Sequence, residues 1–108
     1  MVGKGRAMEM IMTAGMIDAN QALQYGLVNH VKAQEELLEA CYEIAQKIMK
    51  NSSVAIGKAI EAVNANYTAG VNGYEVEIKG FGDCFGTEDF TEGTTAFLEK
   101  RKANFPGK

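Results

Sequence analysis

One histidine, two cysteines and one proline leave this chain little of the usual material for metal binding, cross-linking or kinking. His30 has no Cys, Asp or Glu at ligand spacing, so it builds no metal site and reads as an edge or surface imidazole. Cys41 and Cys84 permit at most one bridge and form no C-x-x-C pair; two reduced, buried thiols in a cytosolic protein are the expected state. No apolar run approaches the ~18 residues of a membrane span. Lys4, Arg6 and Glu9 interrupt the charged-then-apolar order of a secretory leader. A net charge of −3 excludes a global basic field for nucleic acid or an anionic membrane. There is no G-x-S-x-G and no recognisable Cys–His couple, which leaves nucleophilic catalysis without local support. Gly3 and Gly5 begin a glycine-rich loop, but Met8 stands where a third glycine belongs and no Walker lysine follows. They read as a flexible helix start.

What is present is helix. The 108 residues, 1–108, amount to one domain or less, and a 46% hydrophobic content suffices for a core. The spacing of Ala7, Met10, Ile11 and Ala14 predicts a helix from Lys4 to Ala14, with Gly15 as its left-handed stop. Asp18 with Gln21 is a capping-box pattern opening a short helix that Gly26 ends. Leu27 to Val31 reads as a brief extended connector with at most one short strand. A long helix is predicted over about Glu35 to Lys50, striped by Leu37, Leu38, Cys41, Ile44, Ile48 and Met49. Asn51-Ser52-Ser53 stops it and starts the next, whose Ile56, Ala59, Ile60, Val63 and Tyr67 share a side. Asn72 with Glu75 opens a fifth helix carrying Tyr74, Ile78, Phe81 and Phe85. Gly86 breaks it, and Thr87 caps a last helix with Glu88 and Asp89 in its first turn and Lys100, Arg101 and Lys102 in its last.

The polar residues in these elements have structural explanations. Glu75 and Glu77 fall on different helix faces, and Glu88, Asp89 and Glu92 read as solvated charges at a helix start. No carboxyl is placed for the shift toward neutral pH that a general acid requires. Met8, Met10, Met12 and Met16 read as an adaptable packing surface. Phe97 is expected to fill a helix stripe with Phe90 and Leu98. Each amphipathic element needs a partner surface, and an oligomer is the natural outlet.

Five fragments in order carry a family resemblance. They are G-K-G-R-A-M-E-M-I-M-T at Gly3 to Thr13, I-D-A-x-Q-A at Ile17 to Ala22, G-L-V-N at Gly26 to Asn29, E-E-L-L at Glu35 to Leu38, and E-D-F-T-E-G-T-T-A-F-L-E-K-R at Glu88 to Arg101. Over practically its whole length the chain resembles the C-terminal helical part of the crotonase family, the enoyl-CoA hydratases and isomerases. Ser53, Lys32, Ala33 and Gly57 depart from the pattern.

The resemblance implies a mainly α fold: the helical, trimer-forming portion of a crotonase-type α/β spiral, in about six helices, with the catalytic spiral domain outside the chain. It implies syn addition of water to a short 2-enoyl-CoA such as crotonyl-CoA, by two glutamates and two oxyanion-holding N–H groups that match no position here. The catalytic set within the chain is therefore empty, and so are the metal and cofactor sets; acyl-CoA enters as the substrate of the complete enzyme. Phe97 and Lys100 match an aromatic and a lysine that reach the CoA of a neighbouring subunit, and Phe81 matches a position facing the acyl end of the pocket. A homo-oligomer, trimer-derived or domain-swapped, is the expected partner, in the cytoplasm, with no nucleic acid or membrane. The competing readings are an autonomous helical scaffold without ligand, and the tail of an isomerase, hydrolase or dehalogenase of the same family.

Overall fold

The computed structural model describes residues 1–108, which form six helices and no strand. They are α1 (Lys4–Thr13), α2 (Ala19–Gln24), α3 (Leu37–Ile48), α4 (Ser53–Ala65), α5 (Gly73–Cys84) and α6 (Glu88–Leu98). The chain divides into two compact units, Met1–Cys41 and Tyr42–Lys108. No helix is long and apolar enough to cross a membrane.

In the first unit, α1 ends one residue earlier than its pattern suggests, because Ala14 and not Gly15 takes the left-handed conformation, at φ 49°. Thr13 contributes to that ending by donating its hydroxyl to Glu9 O at 2.8 Å. The α2 capping box forms as expected: Asp18 Oδ1 accepts the Gln21 N–H at 2.8 Å, and Gln21 Oε1 accepts the Asp18 N–H at 3.1 Å. Gly26, at φ 71°, closes α2. Its N–H donates to Leu23 O while Leu27 N–H reaches back to Ala22 O. Ala22 is buried beneath that closure. Arg6 stacks over the Tyr25 ring at 4.7 Å, tying α1 to the end of α2 by cation–π attraction. Residues 27–31 run as an irregular connector without a strand.

α3 is shorter than its apolar stripe. A turn from Ala33 to Glu36 precedes it, and at its far end Asn51 Nδ2 donates to the Lys47 and Ile48 carbonyls, adding to their backbone bonds from Lys50 and Asn51. The stripe itself is uncovered: Leu38 is 70% exposed, and Leu37, Ile44, Ile48 and Met49 are exposed beside it. Cys41 is exposed as well, against the expectation of a buried thiol, and Cys84 is half-buried; both are free. Periodicity identifies which face of a helix is apolar but not what covers it.

The second unit is organised by α4 and α5, which pack together. Ser52 caps α4 by accepting the Ala55 N–H at 3.1 Å. Asn72 caps α5 through the Tyr74 N–H at 3.2 Å; the reciprocal bond from Glu75 that would complete a capping box is not made. Gly80 is buried in α5 beside the Lys58 side chain of α4. Lys58 in turn bonds Asp83 at 2.9 Å, with Lys79 on the same carboxylate at 3.0 Å. A Cβ on Gly80 would meet Lys58 Cβ and Cδ at 3.7 Å, ordinary van der Waals distance. Gly80→Ala is therefore expected to stabilise the unit by about 0.5–1 kcal/mol through helix propensity, seen as a higher denaturant midpoint. A lower midpoint would show that the helices need the closer approach.

In α6, Ala96 is 2% exposed. Thr87 caps it, accepting the Phe90 N–H at 3.0 Å. The helix ends at Leu98, so Lys100, Arg101 and Lys102 lie beyond it and not in its last turn. Residues 103–108 then fold back along α6. A Cβ on Gly93 would stand only 3.2 Å from Phe105 Cε1, so glycine at that position is what lets the Phe105 ring lie on the helix.

Candidate functional site

The chemistry-bearing residues gather at the two ends of α6. At its start, Asp89 is 2% exposed, although its place in a first helical turn suggests a solvated dipole partner. Its carboxylate accepts a hydrogen bond from the Ser52 hydroxyl and, at 2.7 Å, from the Gly107 N–H. Its own N–H donates to Lys108 O at 3.0 Å. One buried acid thus joins the α4 cap, the α6 start and the returning tail. No buried polar side-chain atom is left without a partner. Sequence inspection misses this clasp because Ser52 and Asp89 lie 37 positions apart. The one local signal is Gly107 after Pro106, a turn pair whose glycine adopts φ 80°.

At the far end, Arg101 is forked onto Glu92, Nη1 to Oε1 at 2.6 Å and Nη2 to Oε2 at 2.9 Å. Its Nε donates to Glu99 Oε2 at 2.6 Å. Glu92 also accepts the Asn104 N–H at 2.7 Å. The Arg101 fork, followed by the Asn104 N–H, holds the Glu92 carboxyl down at about 2 against an ordinary 4.5. Glu92 and then Glu99 drive the Arg101 guanidinium still further above its already high value. Asp83 is also held below the carboxylate range, by its hydrogen bonds to Lys58 and Lys79, and Lys58 is raised by the same Asp83 pair. Asp83 and Glu92 are both shifted downward, opposite to what a general acid needs.

The Glu92 shift has a definite consequence. Its folded value lies below its unfolded value, so the stability it contributes is fully present above pH 4.5 and is lost as pH falls from there toward about 2. The Asn104 amide resonance is expected to hold its position down to pH 4.5 and to move between pH 4.5 and about 2 as the tail lets go of α6. Movement centred above that window would mean that another group governs the tail.

Phe97 and Lys100 are both exposed at this end of α6. The Lys100 N–H donates to Phe97 O at 3.2 Å, and Phe97 is 82% exposed. The ring does not fill a stripe with Phe90 and Leu98: Leu98 is exposed too, and Phe90 packs instead on Phe85, with centroids 4.6 Å apart. Phe81 lies elsewhere. It is 68% exposed, meets Phe85 edge-on at 5.1 Å, and lines a groove of about 450 Å³ between α4 and α5 with Lys58, Glu77 and Cys84. Neither Phe97 nor Lys100 lines that groove. No three of the His, Cys, Asp and Glu side chains converge as a metal-binding group.

The helices superpose on those of an enoyl-CoA hydratase structure from Bacillus anthracis with a TM-score of 0.92 at 37% identity, over 99% of this chain and 42% of that one. A Geobacillus kaustophilus relative gives 0.90 at 33% identity, over 99% of this chain and 41% of its own. The pattern of the enoyl-CoA hydratase/isomerase family matches residues 1–108, and the chain belongs to that family. Among curated relatives, a crotonyl-CoA hydratase of Syntrophomonas wolfei is 41% identical over all of this chain and 42% of its own length. The mitochondrial enoyl-CoA hydratase of Pongo abelii is 45% identical over 96% of this chain and 36% of its own. The chain thus spans about two fifths of the length of these relatives.

Proposed function

We propose that residues 1–108 serve as the helical, subunit-assembling and CoA-contacting region of a short-chain enoyl-CoA hydratase acting on crotonyl-CoA-like thioesters. In this reading the acid–base pair and the oxyanion donors are supplied by residues outside these 108. Lys100 offers a charge-assisted contact to a CoA phosphate, Phe97 an aromatic face to the adenine, and Phe81 an apolar wall toward the acyl end. The observation that carries the reading is that Phe97 and Lys100 are both exposed at the end of α6, where neighbouring Arg101 is held by Glu92 and Glu99. Names of relatives that specify crotonyl-CoA and short-chain enoyl-CoA support the substrate class. The uncovered faces of α3 and α5 support assembly into a homo-oligomer, since apolar patches beyond a few hundred Å² rarely stay exposed.

The test uses a hybrid enzyme in which this chain replaces the matching part of the S. wolfei hydratase. Lys100→Ala is expected to weaken CoA binding by about 1 kcal/mol, roughly fivefold, at low salt. The difference should shrink as salt rises, because solvent-facing ion pairs are screened. Unchanged affinity at low salt would leave the alternative, a helical scaffold that touches no ligand.

A further inference from the structure

The two paired helix closures of the chain differ at one position, and the difference singles out Lys100. After α2 the left-handed residue is Gly26, with N–H bonds of 3.0 Å from Gly26 to Leu23 O and 2.9 Å from Leu27 to Ala22 O. After α6 the same pair of bonds recurs, 3.2 Å from Lys100 to Phe97 O and 3.0 Å from Arg101 to Ala96 O, but the left-handed residue is Lys100 at φ 53°. Glycine is the unstrained occupant of this position because it has no Cβ; a lysine remains there only when its surroundings hold it.

Those surroundings are one residue away. The Arg101 fork on Glu92 anchors the backbone just after Lys100 to the middle of α6. The Glu92 bond to the Asn104 N–H anchors the chain again three residues further on. Arg101 Nε on Glu99 fixes the residue just before. Lys100 has a tethered neighbour on each side.

We propose that Glu92, acting through Arg101, is a positioning residue for Lys100: it keeps that backbone left-handed and so sets where the ammonium leaves the helix end to meet the anionic phosphates of CoA. This rests on the CoA-contacting reading of Lys100 and adds the residue that fixes its geometry. A purely electrostatic role predicts the opposite sign. Removing a negative charge near a bound polyphosphate strengthens binding, whereas releasing the clamp weakens it.

In the hybrid enzyme, Glu92→Gln is expected to weaken CoA binding about threefold, read as a raised KM for crotonyl-CoA with kcat unchanged. Arg101→Lys, which keeps the charge and loses the fork, is expected to do the same. Lys100→Ala weakens binding about fivefold, and Glu92→Gln added to it weakens binding no further, since both act through one contact. In the 108-residue chain, the amide-to-Hα coupling of Lys100 should leave its left-handed value in Glu92→Gln. Tighter or unchanged CoA binding in Glu92→Gln, with Lys100→Ala still weakening it, overturns the positioning role and leaves the CoA contact standing. Additive losses in the double variant also overturn it. Unchanged affinity in Lys100→Ala overturns both.

Discussion

Asp89→Ala is expected to cost the Tyr42–Lys108 unit about 2–4 kcal/mol, the largest loss of any single substitution in it. The acid is 2% exposed and accepts from both Ser52 and Gly107, so its removal strands a buried hydroxyl and a backbone N–H together. The damage spreads because Ser52 is also the α4 cap, accepting the Ala55 N–H while it donates to Asp89. The tail is affected through Gly107 at φ 80°, where a Cβ would stand 3.0 Å from Ser53 Oγ. Asp89→Asn should lose less, since an amide keeps one acceptor but turns its NH2 toward a donor. Urea unfolding of the 108-residue chain measures both. A loss under about 1 kcal/mol for the alanine variant would mean that water replaces the clasp at no great cost.

No hydration of crotonyl-CoA is expected from the 108-residue chain by itself. Addition of water needs a carboxyl of shifted pKa to move the proton and donors to hold the thioester oxyanion. Within the chain, Asp83 and Glu92 are pushed down and held by cations. Asp89 is committed to Ser52 and Gly107. Glu77 is the one carboxylate lining the α4–α5 groove, and no second acid lines it. General acid–base catalysis is worth about 10²–10⁴ in rate and a lost oxyanion donor about 10²–10³, so their joint absence returns the reaction to the buffer rate. The loss of enoyl thioester absorbance measures it. Hydration above buffer by chain purified from a host deleted for its own hydratases would place an acid–base pair among these residues.

The local grammar of this chain is legible in its sequence, and its tertiary choices are less so. Asp18 with Gln21, Asn72 and Thr87 cap the helices their patterns open, and Ser52 of the Asn51-Ser52-Ser53 stop caps α4, because capping needs only one side chain and the next few amides. Periodicity placed all six helices for the same reason. The left-handed ends were harder: Gly26 follows the glycine rule, but Ala14 and Lys100 occupy positions where a side chain is strained, and no residue type announces that. Asp89 and Glu92 look like dipole partners in sequence. Only the returning tail, with Asn104 and Gly107, makes one buried and the other a clamp. Of the candidate site, Phe97 and Lys100 are both exposed at the end of α6, whereas Phe81 lines the groove between α4 and α5. Their match to a family pattern could not reveal that separation, which depends on how α5 and α6 meet.

In the proposed reading, these helices supply the CoA-contacting region of a working hydratase. The most direct measurement is crotonyl-CoA hydration by the hybrid in which this chain replaces the matching part of the S. wolfei enzyme. A folded, assembled hybrid that hydrates crotonyl-CoA, with a KM raised by Lys100→Ala, is the expected result. A folded, assembled hybrid that hydrates no crotonyl-CoA, or one whose KM ignores Lys100 at low salt, would contradict it.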